Sequence, residues 1–224
     1  MTAFFITFEG GEGAGKSTQI ERLRAHLTAL GHPVLVTREP GGSPRAEQIR
    51  AFLLSGGAKP HGPLAEAVLF SAARADHLQH TIRPALAKGT HVLCDRFADS
   101  TRAYQGARGA LDERIIAMLE RVAVDGTEPD LTLILDLPAE RGLARAQARR
   151  QERGEGADRF EAEDAAFHEA LRQTFLTIAE KAPERCVVVD AAGDPESVQR
   201  AVWAAVTERL PELARAPKAA AHVA

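Results

Sequence analysis

A glycine-rich segment near the start of the chain, FEGGEGAGKST at positions 8–18, combines backbone freedom with one lysine and two hydroxyl groups. Positions 10–17 fit the pattern G-x-x-x-x-G-K-[ST], between an apolar run and a helix-like pattern. Such a loop wraps backbone N–H groups around a phosphate, its lysine reaches the β- and γ-phosphates, and its serine hydroxyl binds Mg²⁺. The alternative is a turn that only joins a strand to a helix. The pattern favours a nucleoside triphosphate site formed by Gly10, Gly11, Glu12, Gly13, Ala14, Gly15, Lys16, Ser17 and Thr18, with Lys16 catalytic and Ser17 as the metal ligand.

Two arginines follow predicted strands further along the chain. Arg38 follows the second strand, and Asp95 and Arg96 follow the third. Ligands of open α/β sheets bind beyond the carboxyl ends of the strands, so both arginines are expected beside the glycine-rich loop. Two guanidinium groups there suit a second anion, such as the phosphate of an acceptor. The alternative is a pair of surface salt bridges, for instance with Glu39 and Asp95.

A second cluster of arginines occupies positions 141–159, RGLARAQARRQERGEGADR. Four of them recur at every fourth residue and would share one helix face, where like charges repel unless an anion lies nearby. The Gly-Glu-Gly sequence at 154–156 could serve as a hinge. We interpret the segment as a basic lid that closes over the triphosphate; the alternative is a solvated helix face balanced by glutamates. The lid arginines considered as catalytic are Arg149, Arg150 and Arg153.

A long helix-like stretch, Pro63–Ala87, carries an off-axis aromatic residue. Its predicted apolar stripe consists of Leu64, Val68, Ala75, Leu78, Ile82 and Leu86. Phe70, Arg74 and His77 fall roughly 100–160° from that stripe. Phe70 and Arg74 could therefore stack on and hydrogen-bond a planar base. From spacing alone, packing of Phe70 against a neighbouring helix is the stronger alternative.

Five short, nearly continuous apolar runs predict strands that are covered on both faces. They are Phe4–Phe8, Val34–Thr37, His91–Cys94, Leu131–Leu137 and Cys186–Val189. Helix-like stretches lie between them at Lys16–Leu30, Pro63–Ala87, Asp112–Val124, Ala139–Arg153, Ala162–Lys181 and Pro195–Leu210. This alternation predicts a parallel sheet with right-handed crossovers. We expect one domain over residues 1–213 and a disordered tail over residues 214–224.

Composition limits the classes of function. The 224 residues carry a net charge of -3, so no global basic field indicates a nucleic-acid partner. The two cysteines each adjoin an apolar run, which favours buried free thiols and a reducing cytosol. The sequence contains no 18-residue apolar stretch and no signal-peptide layout, so no membrane partner and a cytoplasmic location are expected.

In order along the chain, FEGGEGAGKST, REPGG (38–42), LFSAARADH (69–77) and DRFADSTRAYQG (95–106) resemble the bacterial thymidylate kinase family. The resemblance extends to about residue 210, and its last two motifs are not shared by P-loop proteins in general. It implies an α/β fold of the P-loop NTPase type, a three-layer sandwich with a five-stranded parallel sheet, flanking helices and an arginine-rich lid. It also implies transfer of a phosphoryl group from ATP to dTMP with Mg²⁺, and a homodimer.

The resemblance also implies roles for individual residues. Phe70 would stack on thymine and Arg74 would bind its carbonyl, while Arg38 and Arg96 would hold the dTMP phosphate. The other implied roles belong to Thr101 and Gln105 at the base edge, Tyr104 beside the ribose 2′ position, Glu12 at the 3′-hydroxyl, and Asp95 at the Mg²⁺ shell or the transferring phosphate. The family has one layout with an arginine in the glycine-rich loop and another with it in the lid. This chain resembles the second layout, because its loop has no arginine.

Three rival interpretations remain at this stage. A kinase for another nucleoside monophosphate would use similar residues. A GTPase switch would need an Asn-Lys-x-Asp motif, which a chain without asparagine cannot contain, and a nucleic-acid motor would need a wider basic surface. The third rival is an inactive phosphate-binding scaffold, which the intact Lys16, Ser17 and arginine set disfavours.

Overall fold

The computed structural model describes residues 3–106, 111–154, 160 and 163–217, without the side chain of Arg153. Its strands are Phe5–Glu9 (β1), Val34–Arg38 (β2), His91–Asp95 (β3), Leu131–Asp136 (β4) and Cys186–Asp190 (β5). Each predicted strand is thus confirmed to within one residue at either end. All neighbouring strands are parallel, in the order β2-β3-β1-β4-β5.

Helices cover both faces of this sheet. They span Lys16–Ala29 (α1), Pro44–Leu54 (α2), Gly62–His77 (α3), Arg83–Ala87 (α4), Ala98–Gly106 (α5), Glu113–Val124 (α6), Ala139–Arg153 (α7), Ala165–Lys181 (α8) and Pro195–Arg209 (α9). The apolar faces of α1 and α9 meet one side of the sheet, and α4, α5 and α8 pack on the other side. The three central strands are buried along nearly their whole length, which explains their continuous apolar sequences.

The register of the strands brings the predicted site residues to one edge of the sheet. Asp95 at the end of β3 lies opposite Phe8 of β1 and Arg38 of β2. The loops that follow these three strands therefore leave the sheet at the same level. This is the carboxyl edge, where an α/β sheet binds its ligands.

The helices differ from the sequence-based prediction in three places. The prediction omitted α2 and α5. The long helix predicted at Pro63–Ala87 is interrupted by a π-helical turn over Leu78–Ile82. Pro84, at the second position of α4, explains the interruption, because a proline has no N–H and its ring clashes with the carbonyl four residues earlier.

Both cysteines are buried free thiols, as predicted. Burial raises the pKa of Cys186 to about 11 and raises that of Cys94 well above its usual range. No helix among the described residues combines the length and the apolar character needed to cross a bilayer.

A chain of two histidine rings joins the N-terminal strand to the C-terminal segment. The N–H of Phe4 donates to Nδ1 of His91 at 3.0 Å, which leaves the His91 proton on Nε2. That Nε2 lies 3.2 Å from Nδ1 of His32, and Nε2 of His32 lies 2.9 Å from the carbonyl oxygen of Arg215. The chain of bonds is complete only when both rings are neutral. It involves residue 215 of the predicted tail; residues 218–224 of that tail lie outside the described part.

This arrangement predicts a loss of stability in mild acid. Burial and the neighbouring His32 lower the pKa of His91 from 6.5 to about 4. Between these pH values the unfolded chain binds a proton that the folded chain does not. The contribution of His91 to the free energy of unfolding is therefore fully present above pH 6.5 and is lost as the pH falls toward 4. We expect a contribution of about 1–2 kcal/mol between pH 7 and pH 5, allowing for solvent screening.

Urea unfolding of wild type and His91→Gln at both pH values measures this contribution. Glutamine keeps an acceptor for Phe4 and a donor for His32 but does not titrate. The free energy of unfolding of His91→Gln should therefore fall less between pH 7 and pH 5 than that of the wild type. His61→Gln, at an exposed position, should behave as wild type. An equal fall in wild type and His91→Gln would contradict the prediction.

Candidate active site

The loop between β1 and α1 encloses a lysine ammonium. Three of its glycines, at positions 10, 13 and 15, have φ values of 130°, 66° and 90°. Residues with a Cβ rarely adopt such values, which explains why glycine occupies these positions. Nζ of Lys16 donates to the carbonyl oxygens of Gly10 and Gly11 at 3.1 and 2.9 Å. Burial lowers the pKa of Lys16, and Arg96 lowers it further; a bound triphosphate would restore it, because opposite charge favours the ammonium form.

Ser17 and Asp95 form the polar side of this loop. Oγ of Ser17 donates to Oδ2 of Asp95 at 2.9 Å, while Oδ1 of Asp95 is buried with no partner in the described part of the chain. No group of three or more metal-binding side chains exists among the described residues. One hydroxyl and one carboxylate fit Mg²⁺, which retains most of its waters and binds substrate phosphates.

Arg96, Glu12 and Tyr104 form a compact charged cluster beside the loop. The guanidinium of Arg96 donates to Glu12 and to the carbonyl of Gly10, and it lies 5.1 Å from the centre of the Tyr104 ring. The Tyr104 hydroxyl donates to the same Glu12 oxygen at 2.7 Å. Burial alone would raise the pKa of Glu12, but Arg96 and Lys16 hold it at about 2. Glu12 is therefore an anion at neutral pH, fixed in place by two donors.

Arg38, the last residue of β2, is the more exposed of the two arginines at the carboxyl edge of the sheet. It is 53% exposed and donates to Glu47 of α2 at 3.0 Å. The salt bridges that the sequence suggested as an alternative, with Glu39 and Asp95, are therefore not the ones found. Arg38 pairs with Glu47, and Arg96 pairs with Glu12.

The predicted apolar stripe of α3 is wrong over its first half. Leu64 and Val68 are 48% and 44% exposed, whereas Arg74 and His77 are buried. The reason is a buried carboxylate: Glu39 accepts from Nε of Arg74 at 2.7 Å and lies 3.1 Å from Nδ1 of His77. An ion pair across 35 residues of sequence turns the polar face of this helix inward.

Arg74 retains one nitrogen for a ligand. Its Nη2 donates to the carbonyl of Phe97 at 3.0 Å and to Thr101 at 2.9 Å. Its Nη1 is buried with no partner among the described residues. Because an unsatisfied buried guanidinium N–H is costly, a ligand acceptor at this position would stabilise the arrangement.

One pocket of about 440 Å³ brings most of the predicted residues together. Those lining it are Glu12, Gly13, Ala14, Gly15, Lys16, Ser17, Thr18, Arg38, Phe70, Arg74, Asp95, Arg96, Thr101, Tyr104, Gln105 and Arg149. Gly10, Gly11 and Arg150 do not line it. The side chain of Arg153 and residues 155–159 of the predicted lid, including most of the 154–156 hinge, lie outside the described part.

The pocket also contains residues that sequence reasoning missed, among them Arg50, Leu54 and Phe160. The first two were missed with the whole of α2. Phe160 faces Phe70 and Tyr104, with ring centres 6.1 and 5.4 Å away. A single aromatic residue within a polar segment, DRFEAED at 158–164, was the available signal.

The arginine row on α7 divides between two environments. Arg141 and Arg145 donate to the carbonyl oxygens of Ala192 and Ala191, in the loop after β5, at 2.9 and 3.2 Å. Arg149, one turn further on, lines the pocket. The helix ends at Arg153, and the next residue, Gly154, caps it in a left-handed conformation.

Two glycines allow α7 to pack directly on the phosphate loop. A Cβ on Gly142 of α7 would collide with the carbonyl oxygen of Glu12, and a Cβ on Gly13 would collide with the carbonyl of Gly142. The colliding atoms are backbone, so neither side can yield through a rotamer change. The lid helix and the loop that binds phosphate therefore form one rigid contact.

Gly142→Ala is expected to raise the KM for ATP about tenfold to a hundredfold, because overpacking by one methyl group commonly costs 1–3 kcal/mol. Steady-state kinetics and equilibrium ATP binding measure the effect. Ala148→Ser adds one atom at an exposed position of the same helix and should leave both values unchanged. Wild-type ATP affinity in a folded Gly142→Ala variant would refute the packing argument.

A parallel 2-3-1-4-5 sheet, a phosphate loop and a second group of arginines in one pocket define a P-loop kinase for small phosphorylated acceptors. Comparison with known proteins identifies which one. Residues 8–202 match the family model described as thymidylate kinase. This chain belongs to the thymidylate kinase family.

Individual relatives agree with this assignment. The chain is 58% identical to a thymidylate kinase of Caulobacter vibrioides over 207 residues, covering 92% of this chain and 97% of the relative. It is 56% identical to a thymidylate kinase of a Bradyrhizobium species, covering 92% and 90% of the two chains. The crystal structure of thymidylate kinase from Ehrlichia chaffeensis superposes with a TM-score of 0.72 at 32% identity, covering 92% of this chain and 99% of that one.

Proposed function

We propose that this protein transfers the γ-phosphoryl group of ATP to dTMP in the cytoplasm, with Mg²⁺, and so supplies dTDP for dTTP synthesis. One observation carries the proposal: a single pocket joins Lys16 and Ser17 of the phosphate loop to Arg38, Arg74 and Arg96. Two anionic nucleotides can therefore meet end to end. The match to the thymidylate kinase family supports dTMP as the acceptor.

The donor half of the site is the phosphate loop. Its backbone N–H groups and Lys16 bind the triphosphate, and the Ser17 hydroxyl and Asp95 are the residues that would hold Mg²⁺. When bound, Mg²⁺ offsets negative charge on the phosphates. Arg149 extends from α7 over the pocket and stabilises charge on the transferring group.

The acceptor half reads a monophosphate at one end and a planar base at the other. Arg38 and Arg96 bind the phosphate, and Phe70 stacks on the base. Nη1 of Arg74, which has no partner among the described residues, binds a base carbonyl. The remaining contacts come from Thr101 and Gln105 at the base edge and Glu12 at the 3′-hydroxyl. Tyr104 crowds the ribose 2′ position.

Phosphoryl transfer in this site needs no general base, because the attacking phosphate oxygen is already anionic. Catalysis consists of positioning two like-charged groups and stabilising the charge on the transferring phosphoryl group. Arginines on the acceptor side reduce the repulsion that would otherwise keep the nucleotides apart. Closure of the lid excludes water and so limits hydrolysis of ATP.

A coupled spectrophotometric assay with dTMP, dUMP, dCMP and dGMP tests the proposal. We expect turnover with dTMP to exceed that with each of the others and to require both ATP and Mg²⁺. Equal or greater turnover with another monophosphate would assign a different acceptor. ATP hydrolysis that no monophosphate stimulates would indicate a nucleotide switch instead of a kinase.

We further propose that the protein is a homodimer joined through α2, α3 and α6. These helices pack side by side, α2 against α3 and α3 against α6. Apolar side chains remain exposed on all three, namely Phe52, Leu64, Val68, Met118 and Val122. Several exposed apolar side chains on neighbouring helices are typical of a protein interface.

Val122→Asp should convert the dimer to a monomer, because Val122 is 73% exposed and a buried unpaired carboxylate would oppose association. Sedimentation velocity measures the change. Val188→Asp is the matched control, since Val188 is 44% exposed on β5, away from these helices. A monomeric wild type would refute the dimer.

A further inference from the structure

Glu9, the last residue of β1, is a fully buried carboxylate beside the active site but outside its lining. Oε1 of Glu9 accepts from the backbone N–H groups of Phe97 at 2.7 Å and Ser100 at 3.3 Å. Its Oε2 accepts from the Ser100 hydroxyl at 2.6 Å. The carboxylate thus binds the N-terminal turn of α5, where free N–H groups and the helix dipole favour an anion.

The residue between this turn and β3 has an unusual backbone conformation. Arg96 has a φ of 69°, a conformation that residues other than glycine rarely adopt because it is energetically costly for them. Hydrogen bonds on either side hold it: its own N–H donates to the carbonyl of Phe8 at 2.9 Å, and the next N–H, of Phe97, donates to Glu9. Such a conformation persists only where its surroundings enforce it.

The far side of this turn is fixed independently. Asp99, in the first turn of α5, accepts two hydrogen bonds from Arg185, at 2.6 and 3.1 Å. If the hydrogen bonds to Glu9 were lost, α5 would remain attached through Asp99 to Arg185, the residue before β5. The segment free to relax would be the short link that carries Arg96.

We propose that Glu9 is a positioning residue for phosphoryl transfer, holding Arg96 in its left-handed conformation so that the guanidinium points into the pocket. The proposal rests on the acceptor-binding role given to Arg96 above. Burial and the nearby Asp99 raise the pKa of Glu9 to about 7, despite the hydrogen bonds that it accepts. The carboxyl therefore tolerates a neutral form, and an amide should replace it better than a methyl group.

Titration calorimetry with dTMP and with ATP tests this role in Glu9→Ala and Glu9→Gln. Glu9→Ala should weaken dTMP binding about tenfold to a hundredfold, the factor that corresponds to the loss of one hydrogen bond to a charged group. Its affinity for ATP should stay within about threefold of wild type. Glu9→Gln, which keeps an acceptor oxygen, should recover most of the dTMP affinity.

The control is Thr7→Val, two residues earlier on β1. It breaks a buried hydrogen bond to Thr132 of 2.8 Å, while Thr132 keeps its contact with Arg185 and Arg185 keeps both bonds to Asp99 of α5. It should therefore lower the thermal midpoint while leaving dTMP affinity unchanged. Comparable losses of dTMP affinity in Thr7→Val and Glu9→Ala would show that general destabilisation is responsible and would overturn the proposal. Glu9→Asp, whose shorter side chain withdraws the carboxylate from Phe97, replaces Glu9→Ala if that variant does not fold.

A double-mutant cycle shows whether Glu9 acts through Arg96. In an Arg96→Ala background, Glu9→Ala should change dTMP affinity less than threefold, because the group that it positions is gone. An equal loss in both backgrounds would overturn the proposal. Failure of the wild type to bind dTMP would reject the proposed function itself, whereas normal dTMP binding by Glu9→Ala rejects only the role of Glu9.

Discussion

Replacing Arg96 with alanine is expected to abolish phosphoryl transfer to dTMP, a loss of at least about 10³-fold, while ATP still binds. Arg96 lies in the pocket beside the phosphate loop, and its guanidinium is already ordered by Glu12 and Gly10. A side chain that is already ordered loses little conformational entropy when it binds an anion. Under the proposed function, removal of this guanidinium would leave the acceptor phosphate close to the triphosphate without a compensating positive charge.

The affinity for ATP should survive because the phosphate loop has its own supports. Lys16 donates to two carbonyls of the loop, and Gly142 packs against its backbone. Separate titrations with ATP and dTMP, combined with turnover, measure the two halves. Arg96→Lys keeps the charge but not the planar fork of donors, so it should retain part of the dTMP affinity. Parallel loss of ATP and dTMP binding would assign Arg96 to the integrity of the loop instead.

The sheet was predictable because its three central strands are buried along nearly their whole length. A strand such as Leu131–Asp136 has to be apolar at successive positions, and no exposed face interrupts the pattern. The phosphate loop was predictable for a different reason, since its function needs backbone N–H groups and fixes residue types at fixed spacing. In both cases the determining interactions are local or repeat regularly along the chain.

Helix α5 was not predictable from such patterns. Its sequence, ADSTRAYQG, has no apolar stripe. The groups that fix its first turn are Glu9 and Arg185, which bind Ser100 and Asp99 from 91 and 86 residues away. Tertiary contacts, not propensity, determine where this helix forms.

The inward turn of Arg74 and His77 has the same origin. A periodicity analysis counts these residues as polar and places them outside, whereas Glu39 binds both of them inside. The prediction that Phe70 and Arg74 face a ligand still agrees with the pocket, because both line it. The prediction of which face of α3 is buried in the core was therefore wrong, but the two residues that it selected as ligand contacts do line the pocket.

Among the lid arginines, the structure favours Arg149. Successive residues of a helix point about 100° apart, so the side chains of Arg149 and Arg150 leave α7 in different directions. Arg149 lines the pocket and Arg150 does not. The packing of α7 on the phosphate loop at Gly142 brings Arg149, two turns further along the helix, to the lining of the pocket that also contains Lys16 and Arg96.

Arg149→Ala is therefore expected to lower the rate of phosphoryl transfer by about 10³–10⁵-fold, the range found for arginines that stabilise this transition state. Rapid-quench measurement of a single turnover, with ATP and dTMP both saturating, isolates that step from product release. Binding of either nucleotide should change much less than the rate, because the arginine acts on charge that forms during transfer.

Arg150→Ala is the matched control, one residue along the same helix, and should transfer at a rate within about tenfold of wild type. Arg153→Ala completes the set, since position 153 follows Arg149 by one turn on the same face. Equal rates for Arg149→Ala and Arg150→Ala would show that the charge of the whole lid matters more than one guanidinium. A full loss in Arg150→Ala alone would contradict the prediction and assign the action on the transferring group to Arg150.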